Sequence, residues 1–106
     1  MIPDPSPPFE FQPSQAILER IQQLLIAAKP QGLFPQAAKA IKEISWRLVN
    51  VPRKWGDPIR HRPDAKLTEY RGLHWNLACH YGVHDRVPIV FLTDITPLEE
   101  SPLFGV

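Results

Sequence analysis

The sequence has little that fixes its class at a glance. It holds one cysteine, which excludes an intrachain disulfide and a cysteine-rich zinc site. No apolar run approaches the roughly 20 residues that a membrane-spanning helix needs. The net charge is only +1, so the sum of charges favours no nucleic-acid partner and excludes none. The start, MIPDPSPPFEF, lacks the basic opening and apolar stretch of a secretory signal. A reducing, cytoplasmic setting without membrane contact is the expectation. No internal repeat, Gly-rich phosphate loop, Ser/His/Asp arrangement or carboxylate pair stands out, so no small-molecule cofactor is expected.

Proline is the abundant residue, 13 in 106. Five of them (Pro3, Pro5, Pro7, Pro8 and Pro13) crowd the start, where they forbid a helix interior and favour an extended arm. Residues 1–8 are therefore set apart as a Pro-rich arm, 9–98 as a single domain and 99–106 as an irregular tail. Leu98, Leu103 and Phe104 are expected to tuck back onto the body.

The strongest pattern is LHWNLACHYGVH, Leu73 to His84. Every odd position is apolar or aromatic, and every even position is polar or small. That alternation predicts a half-buried strand, with Leu73, Trp75, Leu77, Cys79, Tyr81 and Val83 on the core. The open face would carry His74, Asn76, Ala78, His80, Gly82 and His84. Three histidines invite a metal, but same-face residues four apart in a strand are separated by ~13 Å and six apart by ~20 Å. One strand cannot close such a site, and no metal is expected.

Before this strand lie two helices. Ser14 is a suitable N-cap for a helix from Gln15 to Ala28, with Ile17, Ile21, Leu24, Leu25 and Ala28 on one stripe. Lys29-Pro30-Gln31-Gly32 ends it. A second helix begins near Pro35 and buries Ala37, Ala38, Ile41, Ile44, Ser45 and Leu48, with Trp46 at the stripe's edge. Phe9 to Phe11 reads as a short first strand. After Leu73 to His84, a turn at Asp85-Arg86 leads to the most apolar strand, Val87 to Ile95. A short strand over Lys66 to Arg71 directly precedes Leu73 to His84, with Gly72 between them as a turn or bulge. The order predicts an α+β fold, a two-helix hairpin packed on one face of a small antiparallel sheet in the order β-α-α-β-β-β.

Between helices and strands, PRKWGDPIRHRPDAK (52–66) reads as an irregular loop, because three prolines and a glycine oppose regular structure. From Arg47 to Lys66 there are six Lys/Arg against two acids, whereas residues 67–106 hold two against five. Arg53, Lys54, Arg60, Arg62 and Lys66 are candidate phosphate ligands. Trp55 among them has two readings, a stacking platform for a base or a plug in the core beneath a solvated loop.

This order of elements resembles the RelE/ParE toxin superfamily of bacterial toxin–antitoxin modules. The match runs from Phe9–Phe11 through both helices and the Pro52…Gly56…Pro58 segment to Leu73–Val83 and Val87–Ile95. Ala78…Tyr81-Gly82-Val83 corresponds to a recurring pattern of that family. The resemblance implies an antitoxin-like protein partner and action on ribosome-bound mRNA as an interferase, or on gyrase. It also exposes two departures. Ala78 stands where ribosome-dependent members carry an arginine at the scissile phosphate. The segment after the last strand, ITPLEESPLFGV, has no Lys, Arg, His or Tyr. A non-catalytic interaction module with the same fold is therefore the competing expectation. If the chain cleaves RNA, Arg60 with His61 or His80 would carry the chemistry, and Asn76 beside Ala78 would contact phosphate.

Overall fold

In the computed structural model, residues 8–106 are described; the Pro-rich arm, apart from Pro8, lies outside the described residues. The sequence forms strand β1 (Glu10–Pro13), helices α1 (Gln15–Ala28), α2 (Phe34–Asn50) and α3 (Pro52–Trp55), then strands β2 (Asp57–Arg62), β3 (Leu67–His74), β4 (Leu77–His84) and β5 (Ile89–Pro97). The fold is α+β, with helices packed on a sheet.

Both long helices begin and end for local reasons. The Ser14 hydroxyl accepts from the Ile17 N–H at 3.2 Å, filling one of the orphan donors of the first turn and contributing about 1 kcal/mol. A single 3-10 turn over Lys29–Gln31 follows α1, and Gly32 takes the left-handed conformation with φ 69°, which costs a glycine nothing. Pro35 lies in the first turn of α2, where its missing N–H has no partner to lose. Trp46, expected at the edge of the buried stripe, is instead 60% exposed.

The sheet has five strands in the order β1-β5-β4-β3-β2. It is mixed rather than antiparallel, because β1 returns beside β5 and runs parallel to it. Main-chain bonds fasten the start of β1 on both sides, from Phe9 N–H to Val49 O at 2.7 Å and from Glu10 N–H to Pro88 O at 2.6 Å. The other neighbours form an antiparallel meander of four strands, one more than expected.

The extra strand comes from the segment assigned to an irregular loop. Each of its prolines occupies a place that needs no donor. Pro52 opens α3, Pro58 lies beside the register shift of edge strand β2, and Pro63 is in the turn after it. Edge strands and bulges are where a sheet tolerates proline.

The strand expected over Leu73 to His84 is really a hairpin. Trp75 and Asn76 both take positive φ, 51° and 54°, and His74 pairs with Leu77. Two left-handed residues between paired strands make the tight turn that suits right-handed strand twist. The reversal also flips the parity of the faces. Leu73 now pairs with Ala78 and is 50% exposed, whereas Leu77, Cys79, Tyr81 and Val83 are buried beneath the helices with Leu24, Ile44, Leu48, Val90 and Ile95. The tail closes the structure with turns. Leu103 is buried and Leu98 half-buried, but Phe104 points to solvent.

Candidate functional site

With the helices confined to one side, the opposite face of the sheet is open, and register decides which side chains share it. Residues paired across neighbouring strands point to the same side, with Cβ atoms about 4.5–5.5 Å apart. Arg71 pairs with His80, and His80 pairs with Asp94. These three side chains form a row across β3, β4 and β5. The next row along the strands is Arg60, Glu69, Gly82 and Phe91. Arg62 pairs with Leu67 and reaches Glu69 at 3.6 Å. Arg60 and Arg71 are exposed and make no ion pair among the described residues. On the β2–β3 side of the face Arg60, Arg62 and Arg71 stand with two acids, Glu69 and Asp57, the latter paired with Arg71 in register, while Asp94 and Glu10 lie toward β5 and β1.

A bulge adjusts the centre of this face. Between His80 and Tyr81 the β4–β5 register shifts, and the Thr93 hydroxyl donates to the His80 carbonyl at 3.0 Å. Asp94 is held in turn by the Thr96 hydroxyl at 2.7 Å. The half-buried His80 ring has no hydrogen-bond partner among the described residues. It borders a hollow of about 180 Å³ with Ile59, Leu67, Glu69, Gly82 and Phe91. A second hollow, lined by Trp55, Asp57, Ile59, Arg71 and Leu73, flanks the other side of Ile59.

The other predicted site residues disperse. Arg53 donates to the His84 carbonyl at 2.8 Å, at the end of β4. Lys54 and Lys66 are exposed, Lys54 at the end of α3 and Lys66 in the β2–β3 turn with φ 54°. Asn76 is a turn residue whose carbonyl accepts from Leu98 N–H at 2.8 Å, so it does not flank Ala78 on the open face. Trp55 is part of an aromatic stack on the helix side, its ring 5.5 Å from that of Tyr81. The half-buried ring packs against the core and also lines the second hollow.

The three histidines of the hairpin separate completely. His74 faces α2, 3.7 Å from Glu43. His84 Nδ1 accepts from the N–H groups of Arg86 and Val87 at 3.1 Å and caps the β4–β5 turn. Only His80 stays on the open face with free ring nitrogens. His61 is directed away from its neighbours Arg60 and Arg62. Its Nε2 lies 3.0 Å from Asp85 Oδ2, while the Thr68 hydroxyl donates to Asp85 Oδ1 at 2.9 Å. Among the described residues, no three His, Cys, Asp or Glu side chains come together as a metal site.

Burial raises the Asp85 carboxyl, but the hydrogen bonds from His61 and Thr68 and the charges of His61 and Arg53 outweigh it. The net result is below the ordinary carboxylate value. A lowered folded-state value stabilises above about pH 4, and that contribution is lost as pH falls through the folded value. Asp85→Asn should therefore flatten the acid limb of a stability–pH curve measured by urea unfolding. An unchanged acid slope would mean that the His61–Asp85 pair does not hold β2 to the β4–β5 turn.

Sequence reasoning missed Arg71, counted among a mostly acidic second half. The signal was present, because alternation through LTEYRGLH places Arg71 on one side with Glu69. No helix among the described residues is long and apolar enough to cross a membrane. No protein-family model matches this chain, and neither a curated protein nor a solved structure does so.

Proposed function

We propose that this chain is a RelE/ParE-like toxin-fold protein that engages ribosome-bound mRNA on its open sheet face and is held in check by an antitoxin-like protein. One observation carries the reading: Arg60, Arg71 and His80 share a solvent-facing surface from which every helix is excluded. RNA cleavage of this kind requires a group that moves the 2′-hydroxyl proton and cations that hold the phosphate. His80, with both ring nitrogens free, supplies the first, and Arg71 directly beside it supplies the second. Arg71 is also the diagonal neighbour of Ala78, about 7–8 Å away across the β3–β4 pair. It thus brings a guanidinium to the neighbourhood that Ala78 leaves without one.

A second reading, the interaction module without chemistry, is favoured by Ala78 itself and by the acids Asp94 on β5 and Glu10 on β1. Inducing expression in a bacterial host separates the two. Growth arrest with cut ribosome-bound message is the expected result, abolished by Arg71→Ala or His80→Ala and reduced by Arg60→Ala. Loss of an acid/base group slows such reactions by about 10²–10⁴-fold. Normal growth with intact message would sink the nuclease reading. Induction of the DNA-damage response with intact message would redirect it to gyrase.

A further inference from the structure

The hollow beside His80 has a composition that the phosphate chemistry does not use. Its floor is Gly82, the one position in the row with no side chain to fill the space. Across one strand boundary from Gly82 stands Phe91, and across the other stands Glu69. Ile59 and Leu67 complete apolar walls around a volume of about 180 Å³, too small for a drug-sized or dinucleotide ligand, whose sites run from about 300 Å³ upward. The Glu69 carboxylate makes no hydrogen bond among the described residues, and Arg62 at 3.6 Å keeps a positive charge beside it. The hollow is thus small and largely apolar, with the Glu69 carboxylate at its rim and His80 and Thr93 at its border.

We propose that this hollow receives a single nucleobase of the bound RNA and that Glu69 selects guanine. The inference rests on the RNA reading above and names the base that reading leaves open. A carboxylate only accepts hydrogen bonds. Guanine presents two adjacent donors on its Watson–Crick edge, N1–H and the N2 amino group, which the two carboxylate oxygens accept together. Adenine and cytosine present an acceptor at the ring nitrogen, which a carboxylate repels. Uracil offers one donor between two carbonyls. Phe91 supplies the aromatic contact that unstacked RNA bases seek. The base lies one row from Arg71 and His80, a spacing of about 7 Å along a strand, so its own 3′-phosphate falls at that pair.

The test is calorimetric titration of the purified full chain with the 3′-monophosphates of guanosine, adenosine, cytidine and uridine. Guanosine 3′-monophosphate should bind at least about tenfold more tightly than the others, within the discrimination of a good bidentate pair. Glu69→Gln should erase that preference. Gly82→Ala should weaken all four nucleotides by raising the floor. A Cβ there meets only the Leu67 methyls at 3.6 and 3.7 Å, ordinary contact, so that variant keeps the fold, and its melting curve checks this. Equal binding of the four nucleotides, or a guanine preference that survives Glu69→Gln, would overturn the pocket while growth arrest dependent on Arg71 and His80 left the RNA reading standing. Failure of all four to bind, together with normal growth on expression, would remove both.

Discussion

Trp55→Ala is expected to lower stability by about 3 kcal/mol or more. The indole is the outer member of three stacked rings. It lies nearly parallel to Tyr81, at 6° and 5.5 Å between centroids, and Tyr81 lies at 9° and 5.4 Å from Tyr70. Each such pair adds about 0.5–1.5 kcal/mol beyond the area it buries. The indole also takes the place of the side chain that Gly72 lacks, since a Cβ at Gly72 would come within 2.8 Å of the ring. A glycine inside a strand is normally a weakness, and here an aromatic from another element covers it. The Arg47 guanidinium lies 5.8 Å from the indole centroid, and its Nη1 is buried with no hydrogen-bond partner among the described residues. Removing the ring therefore opens a cavity and strips a half-buried guanidinium of its neighbour. Urea unfolding of Trp55→Ala beside Trp55→Phe measures the effect, with the phenylalanine variant retaining part of the loss. A Trp55→Ala protein of unchanged stability that no longer bound RNA would restore the base-stacking role.

An alkaline loss of stability is expected from the middle of β4. Burial, and then the negative charge of Asp94, pushes the Cys79 thiol from an ordinary 9.0 up to about 12. Above pH 9 the unfolded chain releases this proton while the folded chain keeps it. The unfolded state then binds fewer protons, so stability falls as pH rises, from about 9 until the folded thiol ionises near 12. Three pH units correspond to about 4 kcal/mol. Tyr81 acts in the same direction above about pH 10. Burial raises its hydroxyl; the hydrogen bond from Gly56 N–H opposes this, and Tyr70, Cys79 and Asp57 add to the rise. That hydroxyl also donates to the Pro52 carbonyl, so the neutral form ties β4 to both ends of α3. Stability measured at pH 8, 9, 10 and 11 should decline steeply in the native protein and less steeply in Cys79→Ala. Parallel declines in the two proteins would exclude the thiol as the cause.

The inertness of Cys79 and Tyr81 bears on the site as well. Neither is a nucleophile or acid/base near neutral pH, since both are held protonated beneath the helices. The proposed chemistry therefore lies on the other face, with His80 and its arginine neighbours.

Much of the fold was legible because its signals are local. The Ser14 cap, the helical stripes and the Gly32 stop each act within a few residues, and the helix bounds follow from them. The buried set Leu77, Cys79, Tyr81 and Val83 also follows, because period-two alternation within one strand survives any tertiary arrangement. The hairpin at Trp75-Asn76 was hidden because alternation continues through a two-residue turn in the sequence while the faces exchange in space. A tryptophan at a left-handed position carries no ordinary turn signal. Edge strand β2 was hidden for the opposite reason. Its prolines and charges look like loop chemistry, and only the presence of β3 beside it supplies the pairing that makes it a strand.

For the candidate site the division is sharper. Sequence alone determined that His80 shares a face with Ala78 and Gly82, that Cys79 and Tyr81 do not, and that Arg60 and Arg62 lie in a basic stretch. It could not determine which cations meet His80, because cross-strand neighbours are set by register, a long-range property. Tertiary structure chose Arg71, sent His61 to Asp85, gave Arg53 to the His84 carbonyl, left Asn76 in a turn and packed the half-buried Trp55 over Gly72. It also placed Glu69 and Phe91 on either side of Gly82. Side-chain type is written locally, but proximity across a sheet is decided by hydrogen-bond registers among β2, β3, β4 and β5 acting together.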